Sequence, residues 1–312
     1  MSFSNPLDTD RILSYYSEAM VIREGGMPSP RMALIYPTYL CNHKCPHCLY
    51  SGWNKKVHLP YRRFVGLIDE LNDIGVKGIE FCGGGEPTLY PEFKNIIKKI
   101  RTKNLDFGIL TNGSTLDRYG EFLVDNCVYV RVSLDSFNPI TYRKMHGVSL
   151  GRLPLILKHL VEYRNKIGSP CKIGIKALLC QDNIGEYDAI VDAPNAIGVD
   201  YSQVKYARAC RGELAQGKTV LKNRCWLSPI HTMIDAYGDV YVCCYYQYRK
   251  DRHVFGNIMD RTFYDVWFSD KHKEVIKRII PDECNRYDCR FHKHNAFMEE
   301  VIDKNSIHVN FI

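Results

Sequence analysis

Three cysteines with the spacing Cys-x3-Cys-x2-Cys, at Cys41, Cys45 and Cys48, are the residues of this chain best suited to metal chemistry. Thiolates are soft ligands that select iron–sulfur clusters, zinc or copper. A structural zinc ion takes four ligands, so zinc here would need His43 or His47 as the fourth. A [4Fe–4S] cube also has four iron corners, and three cysteines would leave one iron open to a substrate or cofactor. The loop alone predicts a soft-metal site and leaves both alternatives open.

The elements that must position this loop follow an alternating pattern. Apolar runs of strand length alternate with helical patterns, which is typical of βαβ units and a parallel sheet. Six such units, counting the strand before the cysteines, predict an α/β fold with a partial (β/α)6 barrel of the TIM type. Active residues of such barrels lie at the C-terminal ends of the strands. The predicted strands are 32–36, 78–81, 106–110, 129–134, 172–179 and 200–206, and the predicted helices are 8–20, 61–74, 91–101, 116–124, 151–166 and 185–193.

Glycine, polar and charged residues follow the next three strands. A glycine-rich turn with a carboxylate follows the second strand, and a turn of small polar residues follows the third. The fourth strand carries polar residues spaced two apart, which therefore share one face. Each residue alone fits an ordinary turn, and only their shared placement at strand ends favours a functional site. These residues are Gly84, Gly85 and Glu86, then Thr111 and Asn112, then Arg131, Ser133 and Asp135.

A second set of cysteines lies beyond the last predicted strand. Two short β-prone runs around residues 237–239 predict a hairpin, which would bring Cys225 and Cys243 near each other. Together with Cys284 and Cys289, these thiols can close a second iron–sulfur site. A structural zinc site with four thiolates is the alternative.

Three further residues are candidates for contact with a substrate. Arg208 and Arg211 follow the last predicted strand, in a polar segment typical of a linker or an active-site loop. Cys244 is a spare thiol beside Cys243. It fits either a small buried hydrophobe or the hydrogen-atom donor that an epimerase would need.

Composition excludes several classes of protein. The 312 residues are 45% hydrophobic and 25% charged, as in ordinary globular domains, and hold no apolar run long enough for a transmembrane helix. No signal peptide is predicted, and thirteen cysteines then favour a reducing, cytoplasmic location in which cysteine clusters bind metal. The net charge of +7 is modest, and without a basic stripe interleaved with aromatics it predicts no nucleic-acid partner.

Together these motifs resemble the radical S-adenosylmethionine (radical SAM) superfamily over roughly residues 30–206. The resemblance rests on the three-cysteine loop, the 84–87 turn one strand later and the 111–113 turn after the third strand. It implies that the open iron of a [4Fe–4S] cluster binds S-adenosylmethionine (SAM), and that an external donor such as flavodoxin or ferredoxin supplies electrons. Cleavage of SAM would then give methionine and a 5′-deoxyadenosyl radical, which removes a hydrogen atom from the substrate.

The resemblance also implies roles for single residues. Glu86 and the backbone of the glycine turn would face the methionine ammonium, and Ser133 would face the ribose or carboxylate. Arg143 could pair with the methionine carboxylate, or it is simply a solvated helix residue. His47 stands where the superfamily usually has an aromatic residue. The full implied SAM-binding set is Gly84, Gly85, Glu86, Thr111, Asn112, Ser133, Asp135, Arg143, Ala177 and Leu178.

The C-terminal cysteines resemble the auxiliary-cluster extensions of radical SAM enzymes. The SPASM form of this extension holds two clusters, and the shorter twitch form holds one. Four well-placed cysteines favour the twitch form, with one auxiliary [4Fe–4S] cluster. The expected divisions are a helix and lead-in at 1–30, the barrel at 31–210 and the auxiliary-cluster domain at 211–312.

The implied reaction is the oxidation of an alcohol on a small molecule. An auxiliary cluster can accept an electron from a substrate radical next to a hydroxyl, which gives a ketone. The closest resemblance is to enzymes of the 2-deoxy-scyllo-inosamine dehydrogenase type, which act on aminocyclitols and sugars. The short segment before the first strand favours such a substrate over a peptide. The alternatives are an epimerase using Cys244, a peptide or protein maturase and, more distantly, a non-enzymatic iron–sulfur or zinc protein.

Overall fold

A computed structural model of the chain describes residues 9–103, 105–206, 224–243, 250–281 and 289–303. Its strands are β1 (Met32–Ile35), β2 (Gly78–Phe81), β3 (Asp106–Thr111), β4 (Tyr129–Ser133), β5 (Lys172–Leu179), β6 (Tyr201–Tyr206), β7 (His231–Ile234), β8 (Asp239–Tyr241) and β9 (Val254–Asn257). In these residues they form one nine-stranded sheet with the order β6-β5-β4-β3-β2-β1-β7-β8-β9.

Helices connect the strands in the predicted alternation. They are α1 (Tyr16–Arg23), α2 (Tyr61–Asp73), α3 (Phe93–Thr102), α4 (Leu116–Asn126), α5 (Pro139–His146), α6 (Leu153–Ile167), α7 (Tyr187–Val191), α8 (Ala193–Ile197), α9 (Lys250–His253), α10 (Phe263–Trp267), α11 (Asp270–Lys277) and α12 (His292–Val301). Short 3-10 helices cover Thr9–Tyr15, Pro87–Leu89 and Ile184–Glu186.

Strands β1 to β6 are parallel, each paired with the next, and they form the predicted partial barrel. The alternation of side chains divides each strand between two environments. Ile79 and Phe81 of β2 pack in the large apolar core together with the helices, whereas Glu80 between them points to the inner face. We call the space bounded by this inner face the lumen. Its residues are the ones that can meet a substrate.

Glycines in the strands make room for aromatic rings in the lumen. A Cβ atom on Gly108 of β3 would lie 2.4 Å from the Tyr129 ring, and one on Gly174 of β5 would lie 2.3 Å from the Tyr201 ring. A glycine inside a strand commonly marks such a close approach. The two tyrosines therefore cover the inner face of the sheet at these positions.

The predicted hairpin is confirmed as β7 and β8, which pair antiparallel, with β9 beyond them. Strand β7 also pairs in parallel with β1, with Leu34 opposite Met233. The sheet of the barrel therefore continues into the C-terminal region. The predicted boundary between 210 and 211 stays a prediction.

The predicted helix at 185–193 was wrong in its extent. The chain instead forms a 3-10 turn and the two short helices α7 and α8. Pro194 lies in the first turn of α8, where a proline is tolerated, but it could not continue α7 because it lacks an N–H. Among the described residues, no helix is long and apolar enough to cross a membrane.

Candidate active site

The three-cysteine loop follows β1, at the C-terminal edge of the sheet. Cys41, Cys45 and Cys48 are half-buried. Burial raises the pKa of Cys41 and that of Cys45, the latter to about 12, and the nearby Cys48 thiolate raises both further. As thiolates, these three groups repel one another. A cationic metal centre shared by all three would offset this repulsion and favour the deprotonated form. The donor set therefore fits a [4Fe–4S] cluster held by three cysteines.

The end of α5 packs against this loop. His146 lies with Nδ1 3.8 Å from the Cys45 sulfur, and its ring stacks on Tyr142 at a centroid distance of 4.1 Å. Gly147 ends the helix at φ 69°, and a Cβ there would lie 2.7 Å from the Lys44 carbonyl oxygen. Only glycine fits this left-handed, crowded position. The sequence prediction did not include His146, although the helix-ending glycine after it was a signal.

The zinc alternative has a specific arrangement in the structure. The ligand atoms of His43, Cys45 and His146 lie within 4.8 Å of one another. The Nε2 atom of His146 also lies 3.2 Å from Asp135 Oδ2. Such a site would use one cysteine of the three and leave Cys41 and Cys48 without a role.

The glycine turn after β2 packs directly under the cysteine loop. A Cβ on Gly85 would lie 2.2 Å from the Leu40 carbonyl oxygen, and one on Gly84, which has φ 109°, would lie 2.8 Å from the Tyr39 ring. The Glu86 N–H donates to the same Leu40 oxygen at 2.7 Å. The glycines therefore allow backbone to approach backbone, and the turn holds the segment just before Cys41.

The Glu86 carboxylate is buried, at 2% exposure, and serves as an acceptor for two turns. It accepts from the Thr88 hydroxyl at 2.6 Å, the Thr111 hydroxyl at 2.7 Å and the Asn112 N–H at 2.6 Å. Burial raises its pKa, and these hydrogen bonds oppose that rise. The carboxylate is thus engaged within the protein through three hydrogen bonds, most of them to Oε1. The prediction that Glu86 and the backbone of Gly84 and Gly85 face the SAM ammonium stays a prediction.

Replacing Glu86 with glutamine should lower the free energy of unfolding by about 2–3 kcal/mol, because an amide NH2 would face donors that now share a carboxylate. SAM should also bind more weakly, since the turns at 84–88 and 111–112 lose their common acceptor. Chemical denaturation and SAM titration measure the two effects. Glu92→Gln is the matched control, because the Glu92 carboxylate accepts the exposed Asn95 amide and lies outside the network. Equal stability of the two variants would contradict this role.

Asn112 connects the third strand to the cysteine loop. Its Nδ2 donates to Asn42 Oδ1 at 3.0 Å and lies 3.9 Å from the Cys41 sulfur. Its Oδ1 accepts the Ser114 N–H at 2.9 Å. The predicted meeting of strand ends thus occurs here, since Glu86, Asn112 and Cys41 form one connected group.

Asp135 connects the fourth and fifth strands to the same site. Its Oδ1 accepts the Leu178 N–H at 2.7 Å, and its Oδ2 faces His146 and, at 3.7 Å, His47. Ser133 is half-buried at the end of β4. These positions keep both residues as candidates for contact with SAM.

The other predicted SAM contacts lie on β5 and α5. The Ala177 side chain is fully buried in the core between sheet and helices, and the prediction that its strand flanks the adenine stays a prediction. Adjacent Leu178 is only half-buried and alternates to the other face of β5. Arg143 is exposed on α5, and its pairing with the methionine carboxylate stays a prediction.

Buried tyrosines connect the two cysteine regions. The hydroxyls of Tyr39, two residues before Cys41, and Tyr241, two residues before Cys243, both donate to Asp235 Oδ2 at 3.0 Å. Burial and the nearby Asp239 raise the pKa of Asp235 to about 6. This Tyr–Asp–Tyr bridge fixes the first cysteine loop relative to the β7–β8 hairpin.

Three of the four cysteines predicted to bind the auxiliary cluster lie within the described residues. Cys225 and Cys243 are half-buried and both pack against the main core, and Cys289 is half-buried as well. That Cys225 and Cys243 lie near each other stays a prediction. The Cys225 sulfur lies 3.6 Å from Asn295 Oδ1. Cys284, Cys244, Arg208 and Arg211 lie outside the described residues, so their roles stay predictions.

A buried ion pair joins the C-terminal region to the lumen. Arg290, next to Cys289, makes a bidentate contact with Glu80 on β2, with Nη1–Oε1 2.7 Å and Nη2–Oε2 3.1 Å. The Tyr129 hydroxyl donates to the same carboxylate. Burial alone would raise the pKa of Glu80, but the Arg290 charge and hydrogen bonds lower it to about 2. No local pattern predicts this pair, since its members are 210 residues apart.

Comparison with known proteins identifies both regions. A profile of the radical SAM superfamily matches residues 35–175, and a profile of the SPASM iron–sulfur cluster-binding domain matches residues 225–290. The chain carries a radical SAM domain and a SPASM domain. The radical SAM domain implies a [4Fe–4S] cluster and SAM, and the SPASM domain implies auxiliary iron–sulfur binding.

Relatives of this radical SAM protein match either most of the chain or about half of it. Mycofactocin maturase MftC of Mycobacterium ulcerans is 25% identical over 318 aligned positions, which cover 86% of this chain and 84% of MftC. A probable GTP 3′,8-cyclase of Methanococcus maripaludis is 30% identical over 167 positions, 51% of this chain and 53% of the cyclase. SuiB of Streptococcus suis, crystallised with SAM, shares the fold with a TM-score of 0.68 at 17% identity, covering 83% of this chain and 70% of SuiB.

Proposed function

We propose that this radical SAM enzyme is a maturase that removes a hydrogen atom from a peptide substrate. The observation that carries the proposal is the similarity to MftC, which is named a maturase and matches across both domains. Two proteins with the same fold, SuiB and anSMEcpe, have been crystallised with peptides, so this fold can present its site to a polypeptide.

Different residues of this chain would hold the two clusters and position the substrate. Cys41, Cys45 and Cys48 would hold the SAM-binding cluster, and Cys225, Cys243, Cys284 and Cys289 the auxiliary one. A cluster bound by the first three cysteines would supply the electron for SAM cleavage. The hydrogen bonds of Glu86 and Asn112 hold the loop of the first site in place, and the lumen would receive the group to be modified.

An external electron donor such as flavodoxin or ferredoxin fits the exposed side of the cysteine loop. Leu40 and Leu49 flank the three cysteines and are 44% and 60% exposed. An exposed apolar pair beside a redox centre is suited to a transient protein contact.

A second candidate is oxidation of an alcohol on a sugar or aminocyclitol. The polar lumen favours it, because Arg131 donates to Gln203 Oε1 at 3.0 Å and lies among groups that can hydrogen-bond a compact polar molecule. An epimerase using Cys244 is the related outcome in which the substrate radical takes back a hydrogen atom.

Anaerobic assays distinguish these functions. The reduced enzyme is incubated with SAM and with candidate substrates, and products are analysed by mass spectrometry. The candidates are peptides encoded by neighbouring genes and small molecules on which the products of those genes act. A maturase should alter the mass of a polypeptide while forming 5′-deoxyadenosine. A ketone without solvent deuterium would favour the dehydrogenase, and deuterium from heavy water in the product would favour the epimerase. Turnover of a small molecule but of no peptide would contradict the maturase proposal.

A further inference from the structure

We propose that the lumen contains an anion site, formed by Arg131, Lys176 and Gln203, that binds a carboxylate or phosphate group of the substrate. The inference rests on the proposed function for the presence of a substrate in the lumen, and it adds the chemical class of that substrate. The residues of the site lie on three neighbouring strands, β4, β5 and β6.

The register of the strands brings these side chains together. Lys176 pairs with Ser133 on one side and with Gln203 on the other, whereas Arg131 pairs with Gly174. Because Gly174 has no side chain, the Arg131 guanidinium can cross β5 and donate to Gln203 Oε1. The three side chains therefore border one region of the lumen.

Arg131 retains an unused donor in this region. The residue is 5% exposed, and its Nε is buried without a hydrogen-bond partner among the described residues. The same holds for the Tyr201 hydroxyl, whose ring covers Gly174. A buried donor without an acceptor is costly, and a guanidinium fork matches the paired oxygens of a carboxylate or phosphate.

The two cations of the region also have no ion-pair partner among the described residues, although the Glu80 carboxylate acts on Arg131 and the Asp135 carboxylate on Lys176 at longer range. No carboxylate in the described part of the chain lies within ion-pair distance of Lys176 or Arg131. Burial lowers the pKa of Lys176 to about 7, and the charges of Arg131 and Lys205 add to this effect, whereas Asp135 opposes it. Glu80 is already paired with Arg290. A bound anion would relieve the repulsion between these cations.

The methionine part of SAM also carries a carboxylate. The anion at this site could therefore come from SAM or from the substrate, and the position of the site bears on which of the two it is. Arg131 lies inside β4, two residues before Ser133, and it reaches toward β6. In the sheet order β6 stands five strands from β1, which leads into the cysteine loop. Arg131 and Gln203 therefore lie farther along the sheet than the loop where SAM is expected, which favours the substrate. Lys176 borders both regions, because it pairs with Ser133, itself a candidate for contact with SAM.

The test is titration of the cluster-loaded protein with inorganic phosphate, at constant ionic strength and without oxygen. Wild-type protein should bind phosphate, and Lys176→Met and Arg131→Gln should bind it at least about tenfold more weakly. Lys176→Arg should retain binding. Lys172→Met is the matched control on the same strand, because Lys172 pairs with Asp200 and should leave phosphate affinity unchanged. Unchanged affinity in Lys176→Met would overturn the proposal, even if Arg131→Gln does not fold.

The SAM affinity of the same variants shows whether the site binds an anion of the substrate or the carboxylate of SAM. A SAM dissociation constant within about twofold of wild type in Lys176→Met supports a substrate site, whereas a tenfold increase would assign the anion to SAM and overturn the proposal. Phosphate binding that depends on Lys176, without turnover of any peptide, would contradict the maturase function alone. The two failures are therefore distinguishable.

Discussion

Replacing Cys45 with alanine should reduce SAM cleavage to background while the protein remains folded. The two cysteines left in the loop cannot hold a [4Fe–4S] cube, so about four irons per chain should be lost. The fold should persist, because the Cys45 side chain is half-buried in the loop and is not part of the main apolar core. Iron analysis and chromatographic detection of 5′-deoxyadenosine measure the two effects.

Two other cysteine variants make this result specific. Cys180→Ala removes a half-buried thiol outside both cysteine sets and should retain iron and SAM cleavage. Cys243→Ala should retain part of the SAM cleavage and block product formation, because it damages the auxiliary site and leaves the first loop intact. Normal SAM cleavage by Cys45→Ala would contradict the assignment of the first loop.

Replacing Arg290 with methionine should destabilise the protein by about 3–5 kcal/mol, since Glu80 would be left as an unpaired buried carboxylate. The Glu80 side chain is 2% exposed, so water cannot replace the lost guanidinium. Because Arg290 follows Cys289 in the chain, we also expect less iron at the auxiliary site. Denaturant unfolding at pH 7 and iron analysis measure these effects. The double variant Glu80→Leu, Arg290→Met should recover most of the stability, because it removes both charges.

The pH dependence gives an independent check on this ion pair. Its partners lower the Glu80 pKa from 4.5 in the unfolded chain to about 2 in the folded protein. Stability from the pair is therefore full above pH 4.5 and is lost as the pH falls toward 2. The stability difference between wild type and Arg290→Met should shrink over this range. A difference that stays constant with pH would contradict the role of Glu80.

Much of the fold could be predicted from local patterns. The period of the apolar residues located the six parallel strands, and the spacing of the cysteines located the first site. The parallel pairing of β7 with β1 could not be predicted, because it joins segments about 200 residues apart through contacts that leave no local period. The short helices α7 and α8 replaced one longer predicted helix, since Pro194 interrupts the pattern.

The sequence predicted which residues form the candidate site better than it predicted what each of them contacts. Glu86 was predicted to face SAM, and the structure adds that its carboxylate accepts hydrogen bonds from Thr88, Thr111 and Asn112. A sequence motif shows that a carboxylate is present and cannot show which donors reach it. Some polar side chains of the lumen, such as Glu80 between Ile79 and Phe81, alternate with apolar residues and look like ordinary exposed strand positions. Only the assembled sheet shows that such residues lie on its inner face.

The most direct test of the central claim, that the three-cysteine loop holds an open iron for SAM, is electron paramagnetic resonance of the reduced protein. The Cys243→Ala, Cys289→Ala variant removes auxiliary ligands, so the first cluster should dominate the spectrum. We predict a reduced [4Fe–4S] signal that shifts when SAM is added and that couples to 15N in the SAM amino group. A spectrum that is the same with and without SAM, or a protein that binds zinc in place of iron, would contradict the claim.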